Sequence, residues 1–142
     1  MRVLLLHGPN LNLLGFREPE VYGDTTLPEL EDRCRLWAEG LGIDLETCQS
    51  NHEGLLIDRI HAAIGDFDGI VINPGALSHY SYALHDALAA TGLPAVEVHI
   101  SDISAREPWR AQSVTAAACV ATVSGAGLDG YRQALERLAA RP

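Results

Sequence analysis

The stretch VLLLHGPNLNLLGFREPEVYG, residues 3–23, decides the fold of this chain. Its first part, 3–7, is a short apolar run that a Gly-Pro pair stops, which predicts a strand buried on both faces in a parallel sheet. The loop that follows is longer than a compact domain usually tolerates, and such loops are commonly lids or binding loops. Its side chains that can form hydrogen bonds include those of Asn10, Asn12, Arg17 and Tyr22. The alternative is that the loop is a mobile connector without a function. The rest of the sequence is needed to distinguish these two interpretations.

Turn signals divide the remaining sequence into alternating helices and strands. Thr26 and Glu29 form a capping-box pattern that begins a first helix, and glycines at 40 and 42 end it. Further strands are predicted over 43–49, Gly69–Asn73, 95–100 and 118–124. Further helices are predicted after a polar turn at 50–54, over 81–90 and over 128–140. This alternation implies parallel pairing with right-handed crossovers, and hence an α/β fold: a flavodoxin-like, doubly wound five-stranded parallel sheet with helices on both faces.

Length and charge narrow the class of protein. With 142 residues, 47% of them hydrophobic, the chain fits a single domain over 1–142 with a real core. The net charge of −9 repels nucleic acid and anionic membranes, so neither is an expected partner, and an anionic substrate would need a local cluster of arginine. All 10 basic residues are arginine, which excludes any mechanism through a lysine Schiff base.

The apolar runs, the start of the chain and the cysteines bear on the compartment and on metal binding. No apolar run approaches the roughly 18 residues of a membrane span, and Met1 leads directly into a strand, so we expect a cytoplasmic protein. The three cysteines, Cys34, Cys48 and Cys119, are odd in number, widely spaced and set among apolar neighbours. They indicate reduced thiols in the core and no metal site.

In a doubly wound sheet, sites lie outside the carboxyl ends of the strands. Glu97 and His99 lie two residues apart on the fourth strand, so their side chains share a face. A carboxylate there can orient the imidazole and favour its protonated form, as a general acid requires. A lone histidine at a strand end is more often structural, but the pairing with Glu97, followed at once by Ser101, favours a function.

Tyr22 is a candidate general base in the first loop. With a reference pKa near 10, only about 0.1% of a tyrosine is phenolate at pH 7, so a nearby cation is needed. Arg17 in the same loop could supply it, since a cation about 4 Å away contributes roughly 4 kcal/mol at an effective dielectric of 20. From spacing alone, the simpler interpretation is a Tyr22 ring packed on the first helix and a solvated Arg17.

Two further patterns could hold an anion. Arg106 and Arg110 lie four apart and could share one face of a helical turn, although helix surfaces often carry such pairs. Residues 73–76, Asn-Pro-Gly-Ala, are typical of a turn whose backbone donors cradle an anion, and also of an ordinary strand-ending turn. Both patterns follow predicted strands at the expected edge of the sheet.

Taken in order, these stretches resemble the type II 3-dehydroquinate dehydratases over nearly the whole chain. The matching pieces are 8–14 with 17–19 and 22–23; 49–54; 73–76 with His79, Ser81, Asp86 and Ala87; 97–101; Arg106, Glu107, Arg110 and Ser113; and Gly125, Gly127, Gly130 and Tyr131. The resemblance implies a flavodoxin-like subunit with no cofactor or metal, usually assembled as a homo-dodecamer, a tetramer of trimers.

The resemblance also implies roles for individual residues in the dehydration of 3-dehydroquinate through an enolate. Tyr22 would take the C2 proton, helped by Arg17 on a closing lid; His99, oriented by Glu97, would protonate the departing C1 hydroxyl; and Asn10 would hold a water that stabilises the enolate. The positions that match substrate-binding residues are Asn73, His79, Asp86, Ile100, Ser101, Arg106 and Arg110.

Some positions depart from the family pattern. Tyr82, His85 and Asp102 replace residues that are common there, and the first two concern contacts between subunits more than the chemistry. Three alternatives stay open: a non-catalytic paralogue that keeps the fold, a hydrolase on the same sheet, and an enzyme of quinate breakdown that catalyses the same reaction. A hydrolase would need an activated nucleophile, but no serine of this sequence lies in a nucleophile-elbow pattern.

Overall fold

The computed structural model describes residues 1–16 and 19–142, with backbone alone at 21 and 22. These residues contain five strands and five helices; the five strands and four of the helices were predicted, and the short α1 was not. The strands are β1 Arg2–His7, β2 Asp44–Gln49, β3 Gly69–Asn73, β4 Ala95–His99 and β5 Ala121–Ser124. The helices are α1 Pro19–Tyr22, α2 Leu27–Gly40, α3 Glu53–Ala62, α4 Tyr82–Thr91 and α5 Asp129–Ala139.

The strands form one sheet in the order β2-β1-β3-β4-β5, and all four neighbouring pairs are parallel. The chain therefore leaves β1 in one direction to form β2 and crosses back to the other side to form β3. The strand order reverses between β1 and β3, where His7 lies opposite Asn73. The flavodoxin-like fold class is confirmed, and its switch point is where a ligand crevice is expected.

Helices cover both faces of the sheet because side chains alternate along each buried strand. On β1, Val3 and Leu5 belong to the core layer that also contains residues of α2 and α5. Leu4 and Leu6 belong to the opposite layer, with residues of α3 and α4. A strand buried on both sides in this way has to be apolar throughout, which explains the run that opens the sequence.

Helix starts follow the sequence signals closely. Thr26 caps α2 by accepting a hydrogen bond at Oγ1 from the Glu29 backbone N–H (3.4 Å) and donating to the Glu29 carboxylate (2.9 Å). Ser81 caps α4 in the same way, with its hydroxyl accepting from the Leu84 N–H at 3.0 Å. Both caps satisfy donors that the first turn of a helix leaves unpaired.

Most boundaries agree with the prediction within one residue, and three regions differ by more. The fifth strand begins at Ala121, not at 118, because residues 116–118 form a 3-10 turn in which the Ala118 N–H binds the Thr115 carbonyl. The region of Arg106 and Arg110 is not one helical turn but two separate 3-10 turns, Ile103–Ala105 and Pro108–Arg110. The first loop contains a 3-10 turn, Leu11–Leu13, and the short α1, while Arg17 and Glu18 lie outside the described residues.

Two glycines let the loops after β1 and β3 cross. A Cβ on Gly8 would lie 2.3 Å from the Pro74 carbonyl oxygen, a distance that no side chain tolerates, and the Gly8 N–H binds the Asn73 carbonyl at 2.8 Å. Gly75 has a φ of +61°, and a Cβ there would lie 3.0 Å from the Pro9 carbonyl oxygen. The carboxyl ends of β1 and β3 are thereby joined into one surface.

Two remaining expectations concern cysteines and membranes. Cys34 is buried, Cys48 and Cys119 are partly buried, and all three are free thiols. Burial raises the pKa of Cys34 and of Cys119 to about 12, which keeps both as inert thiols. None of the helices in the described ranges has the length and apolar character needed to cross a bilayer.

Candidate active site

A cavity of about 180 Å³ lies at the carboxyl ends of β1, β3 and β4. Its walls come from the loops that the topological rule selects: 9–11 after β1, 73–79 after β3, and 99–110 after β4. The lining residues are Pro9, Asn10, Leu11, Asn73, Gly75, Ala76, His79, His99, Ile100, Ser101, Ile103, Arg106 and Arg110. Eight of the twelve predicted site residues are among them, and every basic side chain in this lining is arginine or histidine.

His99 and Glu97 form a buried pair on β4. The His99 Nε2 lies 2.7 Å from the Glu97 Oε2, and the two residues are 5% and 0% exposed. Since a carboxylate oxygen can only accept, Nε2 carries a hydrogen and donates it. The ring is therefore fixed through Nε2, and Nδ1 is the nitrogen left for a proton transfer in the cavity. The pairing predicted from the strand spacing is confirmed.

Two hydroxyl groups complete the surroundings of the Glu97 carboxylate. Ser113 Oγ donates to Oε2 at 2.6 Å, and Thr115 Oγ1 donates to Oε1. Both residues lie in the segment before β5, which crosses behind β4 and brings their hydroxyls to the strand. Burial by itself would raise the pKa of Glu97, but the hydrogen bonds and charge of His99 and the two hydroxyls outweigh it, so the pKa is lowered. Glu97 is held as a carboxylate.

Asn10 bends the loop after β1 into the cavity. Its φ of +71° is the left-handed conformation, which asparagine tolerates better than most residues, and among the described residues no other side chain-bearing residue has a positive φ. The Asn10 N–H donates to the Asn51 Oδ1 at 3.0 Å, and Gln49 Nε2 donates to that same oxygen at 3.1 Å and to the Gly8 carbonyl at 3.2 Å. The ends of β1 and β2 are tied together by these amides.

Asn73 lies at the end of β3, where two partners fix its amide. Its Nδ2 donates to the buried Tyr131 hydroxyl at 2.9 Å, and its Oδ1 accepts from the Gly75 N–H at 3.2 Å. Burial raises the pKa of Tyr131, so that hydroxyl stays neutral. One amide hydrogen and one lone pair of Asn73 remain for a ligand in the cavity.

His79 and Arg110 add nitrogen donors and acceptors to the lining of the cavity. His79 Nδ1 lies 2.7 Å from the Gln112 backbone carbonyl, which can only accept, so Nδ1 carries the hydrogen. Arg110 Nε donates to the Glu107 Oε2 at 2.7 Å, which leaves the terminal N–H groups of its guanidinium for other partners. A backbone hydrogen bond at Glu107 itself, with the hydrogen bond and charge of Arg110 and the charge of Arg106, lowers the pKa of Glu107.

The strand end that carries His99 continues into the cavity wall as Ile100 and Ser101. The Ile100 carbonyl accepts from the Gly127 N–H at 3.1 Å, and the Ser101 carbonyl accepts from the Ser124 hydroxyl at 3.2 Å. These bonds anchor the turn to the end of β5. Arg106 also lines the cavity, between the two 3-10 turns that replace the predicted helical face.

Four predicted residues are not in the lining. Glu97 does not line the cavity but accepts a hydrogen bond from His99, which does. Asp86 lies on α4, its side chain is 82% exposed, and its Oδ1 contacts His85 Nδ1 at 3.0 Å, so it does not reach the cavity of its own subunit. Tyr22 ends α1, but its side chain and the whole of Arg17 are outside the described residues. In the described ranges, no group of three or more metal-ligating side chains could hold a metal ion.

Sequence reasoning assigned no role to Ser113 or Thr115. Thr115 is fully buried although threonine is usually a surface residue, and it lies 18 positions from Glu97. Ser113 was one of the positions that match the family pattern, and a polar Ser-Val-Thr run precedes an apolar segment, but neither signal identifies Glu97 as the partner. Contacts at that separation depend on how the chain crosses over, which spacing along the sequence does not encode.

Fold and cavity together define an α/β protein with an acid–base site at the switch point of a parallel sheet. The class II dehydroquinase family model matches residues 1–139, and the chain belongs to that family. The catabolic 3-dehydroquinase 1 of Neosartorya fischeri is 53% identical over 137 residues, which cover 96% of this chain and 91% of the relative. The 3-dehydroquinate dehydratase of Bacillus cytotoxicus is 55% identical over 134 residues, covering 94% and 92%.

Solved structures give the same family. The crystal structure of type II dehydroquinase from Butyrivibrio crossotus matches with a TM-score of 0.95 and 45% identity, and the match covers 97% of each chain. The type II dehydroquinase from Propionibacterium acnes matches with the same TM-score and identity and covers 99% of this chain and 97% of that one. The resemblance inferred from the sequence motifs is therefore confirmed.

Proposed function

We propose that this chain dehydrates 3-dehydroquinate to 3-dehydroshikimate by anti elimination through an enolate. The C2 proton is removed to give the enolate, the C1–oxygen bond then breaks, and the departing hydroxyl takes a proton and leaves as water. The observation that carries the proposal is the buried His99–Glu97 pair on the wall of the cavity, in a chain of the class II dehydroquinase family. A single positioned acid at that place matches the second half of the reaction.

His99 is the general acid in this scheme. In its imidazolium form both ring nitrogens carry a hydrogen: Nε2–H binds Glu97, and Nδ1–H is available to the C1 oxygen of the substrate. The negative charge of Glu97 stabilises that imidazolium, while Ser113 and Thr115 stabilise the charge of Glu97. The site thus holds an acid without placing an unpaired charge in the interior.

The general base is Tyr22, as the resemblance of the loop motif to the family implies. Arg17 favours its phenolate on a loop that closes over the substrate, and Asn10 holds the water that stabilises the enolate. Asn10 lies on the cavity wall in a backbone conformation fixed by Asn51, which supports this assignment. No step needs a metal or an organic cofactor.

A lysine imine has no part in the reaction. The chain contains no lysine at all, so the C3 ketone of the substrate cannot be activated as a Schiff base. The carbanion formed at C2 is instead stabilised as an enolate by hydrogen bonds. Treatment with borohydride in the presence of substrate should accordingly leave the enzyme active.

Substrate binding uses the polar and charged side chains that line the cavity. Asn73 and Arg110 supply N–H donors, and Arg106 adds positive charge in a protein whose net charge is −9. His79 in its Nδ1–H form offers Nε2 as an acceptor to a substrate hydroxyl. Ile100 and Ser101 complete the wall next to His99.

The assembly we propose is a homo-dodecamer of four trimers in which Asp86 enters the site of a neighbouring subunit. The support is that the Asp86 carboxylate is exposed and does not line its own cavity, and that Tyr80 and Tyr82, just before and at the start of α4, are exposed as well. Light scattering tests it: a fully active monomer at nanomolar concentration would contradict it. We also propose that residues 1–142 act as one domain and that the enzyme is cytoplasmic.

The deciding experiment is a direct ultraviolet assay for the conjugated enone of 3-dehydroshikimate. The purified wild-type protein should form product, and the His99→Ala variant should serve as its matched control on the same fold. Absence of product from a correctly folded wild type would favour the non-catalytic paralogue. Biosynthesis and quinate breakdown use this same reaction, so deletion of the gene in its own organism distinguishes them. A biosynthetic enzyme is required for growth without aromatic amino acids, and a catabolic enzyme is required for growth on quinate.

A further inference from the structure

Trp109 contacts two of the cavity-lining side chains without lining the cavity itself. Its ring lies 4.0 Å from the Arg110 Cζ, which stacks over its face. The His79 ring also contacts Trp109, in a T-shaped arrangement with a centroid distance of 5.3 Å and an interplanar angle of 90°. Both neighbours belong to the proposed binding wall, whereas Trp109 remains 54% exposed.

Arg110 is held by two contacts, neither of which is a hydrogen bond from its terminal N–H groups. Glu107 binds Nε at 2.7 Å, and the face of Trp109 lies against the guanidinium plane. An arginine side chain has many rotamers, and a stacked, singly anchored guanidinium occupies few of them. The Arg110 side chain is accordingly only 15% exposed in spite of its position on a surface turn.

His79 is fixed in a corresponding way. Its Nδ1–H is bound to the Gln112 carbonyl at 2.7 Å, which sets the tautomer, and contact with Trp109 limits rotation of the ring about that bond. T-shaped contacts of this kind are favourable geometries for aromatic rings. A single indole therefore restricts a donor and an acceptor that lie on the same wall.

We propose that Trp109 is a positioning residue that presets the orientations of Arg110 and His79 for substrate binding. The inference rests on the proposed function, since it needs both side chains to bind substrate. Trp109 itself touches no reacting atom. Its effect therefore belongs to substrate affinity, and the turnover step, which depends on His99 and Glu97, is left nearly unchanged.

The first experiment compares KM and kcat for three substitutions at this position. We expect Trp109→Ala to raise KM about threefold to tenfold with kcat changed less than about twofold, as the loss of a stacking contact implies. Trp109→Phe, which retains an aromatic face, should recover most of the KM. Trp109→Leu retains apolar bulk without that face and should resemble Trp109→Ala; it also serves if the alanine variant folds poorly.

The matched controls separate this inference from the proposed function. Trp37 on α2 is partly buried against the core layer that contains α2 and α5 and does not line the cavity, so Trp37→Phe should leave KM and kcat unchanged. Arg110→Ala should raise KM more than any Trp109 variant. A normal KM in Arg110→Ala would overturn the binding role of that wall and the inference with it. A raised KM in Arg110→Ala together with normal constants in Trp109→Ala and Trp109→Leu would overturn the inference alone.

A spectroscopic measurement tests the stacking without activity. The chain has two tryptophans, so in a Trp37→Phe background the emission reports Trp109 alone. Adding Arg110→Ala should change its intensity or wavelength, because the stacked guanidinium is removed from the ring. Adding Arg141→Ala, near the end of the chain, should leave the emission unchanged. Identical spectra with and without Arg110, or a kcat loss at constant KM in Trp109→Ala, would overturn the proposal.

Discussion

His99 and His79 line the same cavity, and each imidazole is fixed through one ring nitrogen at 2.7 Å, but to oxygens of different kinds. His99 donates to the carboxylate of Glu97, which is buried and ionised. His79 donates to the backbone carbonyl of Gln112, which carries no net charge. The two contacts have the same length but use different ring nitrogens, Nε2 in His99 and Nδ1 in His79, and their acceptors differ in charge.

The difference assigns different chemistry to the two rings. A carboxylate orients the ring and also stabilises a positive charge on it, which an acid needs at the moment before proton transfer. A carbonyl fixes only the tautomer, so the neutral ring presents a lone pair at its other nitrogen. One fold thus obtains a proton donor and a hydrogen-bond acceptor from the same residue type, by changing the partner behind each ring.

The largest effect should come from His99→Ala. Removal of a general acid typically lowers turnover by about 10²- to 10⁴-fold, so we expect kcat to fall at least about a hundredfold while the protein stays folded. Steady-state kinetics with the ultraviolet assay measures it, and circular dichroism checks the fold. A normal kcat in this variant would remove His99 from the mechanism.

The next largest effect should come from Glu97→Gln, which keeps the shape and removes the charge. A hydrogen bond to a charged group contributes about 1.5–3 kcal/mol, so kcat should fall about 10- to 100-fold. With the amide oxygen kept at the position that accepts from His99 and Ser113, the Thr115 hydroxyl can reverse and accept from the new NH2 group, so the variant should fold. Equal kcat in Glu97→Gln and wild type would mean that the carboxylate only orients the ring, as the carbonyl does for His79.

The same substitution should alter the dependence of stability on pH. Because the pKa of native Glu97 is below its unfolded value of about 4.3, the unfolded chain binds more protons between the two values. The stabilising contribution of Glu97 is therefore complete above about pH 4.3 and is lost as pH falls through the native pKa. Denaturant unfolding at fixed protein concentration should give a steeper acid limb for wild type than for Glu97→Gln. Parallel curves would contradict the lowered pKa.

A smaller effect, on a different constant, is expected for His79→Ala. This ring acts in binding, so KM should rise about fivefold, corresponding to about 1 kcal/mol for one neutral hydrogen bond, with kcat nearly unchanged. His79→Gln retains an acceptor and serves as the matched variant. If His79→Ala instead lost kcat as His99→Ala does, the contrast between the two histidines would be wrong.

The smallest effect should come from Thr115→Val, which removes one of three donors to Glu97 and keeps the volume. The two remaining donors hold the carboxylate ionised, so we expect kcat to fall only a few-fold and the free energy of unfolding by about 1–3 kcal/mol. Ser113→Ala is the companion measurement. A loss as large as that of Glu97→Gln from either variant would show that the three donors act as a single unit.

Local signals in the sequence predicted much of this molecule. Strand β3 was predicted with the observed bounds, Thr26 caps α2 as its pattern indicated, and the spacing of Glu97 and His99 predicted their contact. Each of these depends on residues within a few positions of one another, where strand or helix geometry fixes which side chains meet. The motif spacing also gave the family.

Contacts between distant segments were beyond such reasoning. The spacing of Arg106 and Arg110 allowed one shared helical face, whereas Arg110 ends a 3-10 turn and Arg106 lies between two such turns. Glu107 is extended and Pro108 begins the second turn, because the residue before a proline disfavours the helical conformation, so one helix does not continue from 103 to 110. The partners of Glu97 at 113 and 115 received no role. They lie 16 and 18 positions away from it, beyond the range of a local pattern.

By itself, the sequence determined the fold class, the edge of the sheet that holds the site, and the Glu97–His99 pair, because periodicity and turn residues act over short distances. Only the tertiary structure decided how that edge becomes a cavity: Gly8 passing against Pro74, Asn73 fixed by Tyr131, and Trp109 between Arg110 and His79. Those contacts join segments that are far apart in the chain. They form because packing of the sheet and its helices brings the loops together, and no local pattern encodes that distance.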